Sequence, residues 1–318
     1  MKRKQAQNLL DKTILDFGDA LADLVFEAKI LIHTYKAVRS GETITFDRSR
    51  SVYTHQTIGD WWNSISADDL TKKRGKSHFY LGTRNGDQNS ITDRFPATLN
   101  AQFRWLLVSG YEAYERFLTR VYAELGFCDR NLWRCGDFGN RYRVRDIGSL
   151  TRNHFLERVQ ESSELNPEKI RNLLGHLFPA IQRAENKNSI VFADEEMTYC
   201  NYVDLIAVMR HIIVHEQSQI EPEEFLERLR KKWKRSEVFS KALKTLIVHN
   251  ELKYAPTGWE IWLLSKSPIS LKTCNQLDGP LRTLLGRLGT HACLLYGESI
   301  KHFGCKPFWE RAEKVTSP

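Results

Sequence analysis

The length, composition and charge of this chain predict a folded, soluble protein with an anionic partner. Its 318 residues, 41% hydrophobic and 11% aromatic, are enough to bury one large core or two modest ones, which argues against a disordered chain. The 47 Lys and Arg residues outnumber the 39 Asp and Glu residues, and the resulting formal charge of +8 favours nucleic acid as the partner. Since the six cysteines include no CxxC pair, neither a zinc ribbon nor a disulfide framework is indicated, and no metal or cofactor is expected.

The N-terminal residues argue against a targeting segment. Asp11, Asp16 and Asp19 interrupt the apolar region that a secretory signal would need. No later stretch approaches the roughly 20 apolar residues of a membrane span. We therefore expect a cytoplasmic protein with no membrane partner.

The first 96 residues divide into a helical part and an irregular part. Residues 5–38 carry apolar positions at helical spacing, which predicts a long helix or a helix pair. Residues 39–96 are rich in Ser, Thr, Gly and Asp, with short alternating pieces, and predict an irregular, partly β region. Because a long amphipathic stretch follows Pro96, we place a domain boundary near that residue. The role of residues 1–96 is not indicated.

Residues 97–250 predict an antiparallel helical bundle, so the expected fold is mainly α. The segment LNAQFRWLLVSGYEAYERFLTRVYAEL repeats apolar residues every three or four positions. A further helix should begin with Asn166 as its N-cap and Pro167 at its first position. Another should run from about Thr198, and one or two more should follow from Pro222. Four or more such helices in succession favour a bundle.

Residues 251–318 predict a β-hairpin and a C-terminal helix. The segment KYAPTGWEIWLL contains two alternating runs around a Pro-Thr-Gly turn. The segment GPLRTLLGRLGTHACLLYGESIKHF has helical periodicity, and we expect both elements to pack on the bundle.

The segment RHIIVHEQ, residues 210–217, combines cations and imidazoles with buried-type apolar residues. One face of its helix carries the apolar residues Tyr202, Leu205, Ile206, Met209, Ile212 and Ile213. Asp204, His211 and His215 share the opposite face. Arg210 lies on the flank with Val203, Ala207 and Val214, so the helix is either enclosed in a bundle or covered by another subunit.

This arrangement resembles the R-x4-6-H signature of the HEPN superfamily. In that signature the residue after the arginine is typically Asn, Asp or His, and apolar residues precede the final histidine, as in RHIIVH. The segment LLVSGYEAYERFL also looks like the first helix of many such domains, and a helix follows the motif after the turn QIEPEE. The resemblance covers residues 97–250.

Two other Arg/His pairs have the same spacing. Arg50 and His55 lie in a Ser/Thr-rich stretch without helical period, and we interpret them as coincidental. The pair Arg171 and His176 stays open as an alternative, because the segment RNLLGH is helical and has Asn after the arginine. We prefer the pair in RHIIVH, since its helix continues into the turn and helix of the family pattern.

The resemblance implies a metal-independent endoribonuclease with Arg210 and His215 as catalytic residues. RNA supplies its own nucleophile, the 2′-OH. Histidine titrates near neutrality and moves protons, whereas arginine stays charged and stabilises the phosphorane. One motif supplies one imidazole, so a homodimer that faces two motif helices across a cleft would supply an acid and a base. His211 and Asp204 are supporting candidates, the first for a phosphate and the second for a histidine tautomer.

Two basic segments predict where RNA binds. Cations at this density attract phosphate backbones, and an interleaved aromatic such as Trp233 either stacks on an unpaired base or packs on the core. The residues concerned are Arg228, Arg230, Lys231, Lys232, Lys234 and Arg235 in one segment and Arg141, Arg143 and Arg145 in the other.

Three functions remain open at this point. The resemblance favours a ribonuclease of the toxin or phage-defence kind, with an antitoxin or regulatory partner. The first alternative is a catalytically silent HEPN-like module for dimerisation or RNA binding. The second is a metal-dependent DNase, because Asp23, Glu27 and Lys29 resemble the DxxxExK core of restriction-type nucleases, although that core lies on β-strands.

Overall fold

Helices dominate the structure. The computed structural model describes residues 2–40, 88–133, 150–161, 165–192, 195–216, 218–233, 246–250, 258–264 and 279–312. Helices account for 83% of these residues, which confirms the mainly α fold class.

The described part contains nine α-helices and four short strands. The helices are α1 (Lys2–Ser40), α2 (Gln88–Cys128), α3 (Arg152–Glu161), α4 (Pro167–Leu177), α5 (Pro179–Asn186), α6 (Tyr199–His215), α7 (Pro222–Trp233), α8 (Gly279–His302) and α9 (Phe308–Ala312). The strands are β1 (Asn188–Phe192), β2 (Glu195–Thr198), β3 (Ile247–Asn250) and β4 (Gly258–Ile261). β1 pairs with β2 and β3 pairs with β4, both antiparallel.

The long helices α1, α2 and α8 form the centre of the fold. α1 runs antiparallel to α2, since the Arg120 guanidinium binds Asp16 at 2.8 Å while Leu24 lies beside Gly110. α8 runs parallel to α2 and approaches it closely at Gly110, where an added Cβ would lie 2.2 Å from Cδ2 of Leu285. The bundle is therefore not antiparallel throughout.

The predicted domain boundary near Pro96 does not coincide with the end of an element. α2 begins at Gln88 and continues through Pro96, which removes one backbone hydrogen bond near the start of a 41-residue helix. α1 contributes Ala6, Leu10, Ile14, Phe17, Ala28, Ile32 and Tyr35 to the buried apolar residues of the chain. The N-terminal helix is thus part of the same core as the predicted bundle. Residues 41–87, most of the region predicted to be irregular, lie outside the described residues.

Local capping signals position α4 and α6 as the sequence predicts. The Asn166 side chain accepts a hydrogen bond from the backbone N–H of Lys169 at 2.9 Å. The Thr198 hydroxyl accepts one from the N–H of Asn201 at 3.1 Å. Each bond satisfies an amide that the first helical turn leaves without a partner.

β3 and β4 pair as an antiparallel hairpin, with β3 at residues 247–250, whereas the predicted first run and the Pro-Thr-Gly turn, residues 253–258, lie almost entirely outside the described residues. β3 lies in a segment expected to end a helix, and its β-branched Ile247 and Val248 favour a strand instead. Asn100 of α2 holds the hairpin by donating to the Ile261 carbonyl at 2.9 Å and accepting from the Leu263 N–H at 2.8 Å. The β1–β2 hairpin, directly before α6, was not predicted.

None of the helices in the described ranges combines the length and the apolar character that a membrane span requires. The four cysteines within those ranges are free thiols.

Candidate functional site

The motif helix α6 is buried at its N-terminal end and emerges at its C-terminal end. The predicted apolar stripe is buried throughout, from Tyr202 to Ile213. His211 and His215, by contrast, are exposed. The structure therefore presents both histidines at the end of a helix that the core holds rigidly.

The imidazoles of His211 and His215, called here the histidine pair, lie side by side. Their ring centroids are 4.8 Å apart with an interplanar angle of 47°. The Nε2 atom of His211 lies 3.7 Å from Oε1 of Glu216, which is too long for a hydrogen bond but close enough for attraction. One chain thus carries two imidazoles at the motif, where the sequence analysis counted one.

A charged carboxylate accompanies the histidine pair. Arg228 of α7 donates two hydrogen bonds to Glu216, of which the Nη2–Oε2 bond is 2.9 Å long. These bonds, followed by the charges of Arg228 and the histidine pair, hold the pKa of Glu216 below its ordinary value. Glu216 therefore stays ionised where imidazoles titrate.

Arg210 is the arginine of the motif, and the ion pair that its guanidinium forms is long. Its Nη2 atom lies 4.0 Å from Oε1 of Glu112 on α2, and 29% of its side chain is exposed. Its buried Nε has no hydrogen-bond partner among the described residues. Helical geometry separates Arg210 and His215 by about 140° around the axis and about 7.5 Å along it. A phosphate held by Arg210 would therefore have to reach around the helix to meet His215.

The prediction that Asp204 supports a histidine is wrong in its geometry. Asp204 shares a helical face with His211, but it lies about 10 Å earlier along the axis, where Arg171 of α4 reaches it. Its buried carboxylate accepts from Nη2 of Arg171 at 3.1 Å. Burial raises the pKa of Asp204, and the charge of Arg171 opposes that shift.

The alternative motif, Arg171 with His176, does not present its arginine to solvent. Arg171 is buried in the ion pair with Asp204 and also donates to Sγ of Cys200 at 3.4 Å. Burial, the largest single effect, lowers the pKa of Arg171, but the acidic groups around it, of which the Asp204 carboxylate acts most strongly, together raise it. His176, by contrast, is exposed at the end of α4.

A cavity of about 180 Å³ lies between α2, α4, α6 and α7, and no sequence pattern predicted it. Its polar lining comprises the Arg171–Asp204 pair, a second ion pair between Lys232 and Glu168, and two tyrosines, Tyr111 and Tyr114. The one sequence feature that could have indicated this cavity is the presence of Arg171 and Asp204 within largely apolar helical segments. Their pairing depends on how two helices pack, which the sequence pattern does not show.

A buried hydrogen-bond chain runs from the cavity into the core. The Tyr114 hydroxyl lies 2.6 Å from Nδ1 of His291, whose Nε2 lies 2.7 Å from Oε1 of Glu185. The Tyr114 hydroxyl and the Glu185 carboxylate thus contact opposite nitrogens of the His291 ring. This network orients Tyr114 at the cavity wall.

The basic segment on α7 is less available to RNA than its composition predicts. Arg228, Arg230 and Lys232 each form an ion pair with a carboxylate, whereas Lys231 is exposed and has no carboxylate partner among the described residues. Trp233 is buried in the core, so the suggestion that it stacks on a base is wrong. The other predicted RNA-binding residues, Lys234, Arg235, Arg141, Arg143 and Arg145, lie outside the described residues.

The residues of the metal-nuclease alternative all lie on α1. Asp23, Glu27 and Lys29 are exposed along this helix, whereas the restriction-type core that they resemble is built on strands. Among the residues that the structure describes, no group of three or more His, Cys, Asp or Glu side chains is placed to hold a metal ion.

Comparison of the chain with protein-family models, curated proteins and solved structures found no match.

Proposed function

We propose that this protein is a metal-independent endoribonuclease that uses Arg210, His215 and His211. The observation that carries the proposal is the pair of exposed imidazoles, with ring centroids 4.8 Å apart, one and five residues after a loosely engaged arginine on the same helix. The resemblance of RHIIVH to the HEPN signature and the excess of basic residues add support.

The proposed reaction is an internal transesterification. One imidazole of the histidine pair removes the proton from the 2′-OH, and the 2′ oxygen attacks the adjacent phosphorus. The other imidazole donates a proton to the departing 5′ oxygen. The products are a 2′,3′-cyclic phosphate and a 5′-OH, and no water is consumed in this step.

Arg210 has the role of stabilising the phosphorane. Its guanidinium remains protonated at any working pH and can donate two parallel hydrogen bonds to phosphate oxygens. The 4.0 Å separation from Glu112 leaves the cation free to turn towards a phosphate. Removing one such electrostatic contact typically costs about 100-fold or more in rate.

The histidine pair changes the argument for a dimer. Because one chain carries two neighbouring imidazoles, acid and base need not come from different subunits. A homodimer across the motif helix remains part of the proposal, with RNA as substrate. A free ribonuclease would be toxic to its host, so we further propose a toxin or phage-defence role with an antitoxin or other regulatory partner.

The test is to incubate the purified protein with total RNA in EDTA. We expect cleavage at the same rate in EDTA and in Mg²⁺, with single-stranded DNA and 2′-O-methylated RNA left intact because neither has a free 2′-OH. A requirement for a divalent ion would favour a metal-dependent nuclease. Binding of RNA without cleavage in either condition would favour the silent module.

A further inference from the structure

The cavity between α2, α4, α6 and α7 offers polar groups that the chain itself leaves unused. Tyr111 is 8% exposed, and its hydroxyl has no hydrogen-bond partner among the described residues. Asp204 accepts from Arg171 through Oδ1, and no described residue donates to its second oxygen. Among the described residues, Arg171 donates only through Nη2. None of these atoms is among the fully buried polar atoms that lack a partner, so they are open to the cavity, where a bound molecule can reach them.

The charges of the cavity favour a neutral ligand. Arg171 is neutralised by Asp204, and Lys232 is neutralised by Glu168. A bare anion would have to compete with both carboxylates. A neutral group with its own donors and acceptors would instead bind the free atoms without breaking either pair.

The walls of the cavity favour a flat ring. Tyr111 and Tyr114 form an aromatic wall with centroids 6.1 Å apart, and the apolar side chains of Leu118, Val203 and Ala207 complete the lining. An apolar cavity of about 150 Å³ holds one benzene molecule. The volume of about 180 Å³ therefore suits one six-membered ring with its substituents.

The polar edge of the cavity matches a pyrimidine. Asp204 presents an acceptor, and Arg171 presents donors, with the two groups 3.1 Å apart. Cytosine has an amino donor next to a ring nitrogen acceptor, and uracil has an N–H donor next to a carbonyl acceptor. Carboxylates are known to accept from the cytosine amino group.

The cavity also lies next to the proposed cleavage motif. Ala207 lines it and precedes Arg210 by three residues, about 4.5 Å along the axis of α6. A nucleotide whose base occupies the cavity would place its phosphate towards Arg210.

We propose that this cavity binds the pyrimidine base of an unpaired nucleotide in the RNA substrate. The inference rests on the proposed ribonuclease function for its biological ligand. Binding of the base itself needs only the cavity.

Calorimetric titration with the four ribonucleoside 5′-monophosphates tests the binding step. The full-length protein should bind CMP and UMP at least about tenfold more tightly than AMP and GMP. Ala207→Leu, which fills the cavity, should weaken CMP binding at least tenfold. The matched control is Ala101→Leu, at another half-buried alanine, on α2, and it should leave binding unchanged. Equal affinity for all four nucleotides, or full CMP affinity in Ala207→Leu with an unchanged melting temperature, would overturn the proposal.

A second arm separates this inference from the proposed function. His215→Ala should lose RNA cleavage but keep CMP affinity, and short cytosine-containing RNA should compete with CMP. If RNA is cleaved but CMP does not bind, the proposed base-binding site is wrong and the proposed ribonuclease function is supported. If CMP binds through the cavity but no RNA is cleaved, the proposed ribonuclease function is wrong and the proposed base-binding site is supported. Failure of the RNA to compete would show a site for free nucleotides and overturn its role in substrate binding.

Discussion

At the scale of single residues, one face of α6 combines two environments. Asp204 is buried against Arg171, whereas His215 is exposed at the end of the same helix. The sequence pattern correctly grouped these residues on a face, because helical periodicity is a local property. It could not show that Arg171 of α4 pairs with Asp204 on the first half of that face, because a contact between two helices is not local.

The ion pair between Arg171 and Asp204 should be structural as well as lining the cavity. Asp204→Ala leaves a buried guanidinium without its carboxylate, which typically lowers the free energy of unfolding by about 3–5 kcal/mol. Arg171→Met combined with Asp204→Leu should recover much of this loss. The matched control is His176→Ala at the exposed end of α4, which should change stability by less than about 0.5 kcal/mol. Denaturant unfolding measures all three, and an unaltered midpoint for Asp204→Ala would contradict the pairing.

Glu216 should influence the pH dependence of cleavage. Its carboxylate stays ionised because Arg228 lowers its pKa, and it lies 3.7 Å from His211. Glu216→Gln removes a charge that favours protonated imidazoles, so the pH–rate profile should move to lower pH. Exposed charges interact by about 0.2–1 kcal/mol and one pH unit corresponds to about 1.4 kcal/mol, so the shift should be below about one unit.

The control for this shift is Glu224→Gln. Glu224 also binds Arg228, but no ion pair connects it to the histidine pair in the described residues. Its variant should keep the wild-type profile. If Glu216→Gln and Glu224→Gln have the same pH–rate profile, Glu216 does not act on the histidine pair.

At the scale of elements, the close approach of α2 and α8 depends on a glycine. Gly110→Ala would place a Cβ 2.2 Å from Cδ2 of the buried Leu285. The Leu285 side chain has little room to move, so we expect overpacking to lower the free energy of unfolding by about 1–3 kcal/mol. Gly18→Ala and Gly286→Ala meet no atom within 4 Å and should stabilise their helices by up to about 1 kcal/mol. Thermal melting distinguishes the three variants, and a higher melting temperature for Gly110→Ala would contradict the close packing of α2 on α8.

Elements with strong local signals were predictable, and those that depend on distant partners were not. Asn166 marked the start of α4, because an N-cap bonds within three residues, and the predicted start of α6 at about Thr198 coincides with the residue that caps it. The strand at Ile247 was mistaken for helix, since a short apolar run fits both periods until its partner strand is known. The inclusion of α1 in the same core likewise follows from long-range packing, whereas the packing of α8 on the bundle was expected.

At the scale of the whole molecule, we expect a homodimer. Val203 on the second apolar face of α6 is buried within its own chain, so this part of the face needs no other subunit. Val214 is half-buried near the C-terminal end, and Trp105 on α2 is 54% exposed. These apolar side chains remain the basis for expecting an interface.

Light scattering should give twice the chain mass for the wild type. Val214→Glu should shift the protein towards monomer, because a charge in an apolar interface loses solvation without gaining a partner. Leu15→Glu, at an exposed apolar residue on α1, is the matched control and should leave the mass unchanged. A dimer that tolerates Val214→Glu would place the interface elsewhere.

The proposed mechanism requires that the motif of α6 cleaves RNA, and the direct measurement is cleavage of a single-stranded RNA in EDTA with analysis of the product ends. Arg210→Ala and His215→Ala should each reduce the rate by about 100-fold or more, with melting temperatures near that of the wild type. His176→Ala should retain full activity, and the wild-type products should end in a 2′,3′-cyclic phosphate. Full activity in His215→Ala, or wild-type cleavage only with a divalent metal ion, would contradict the proposed mechanism.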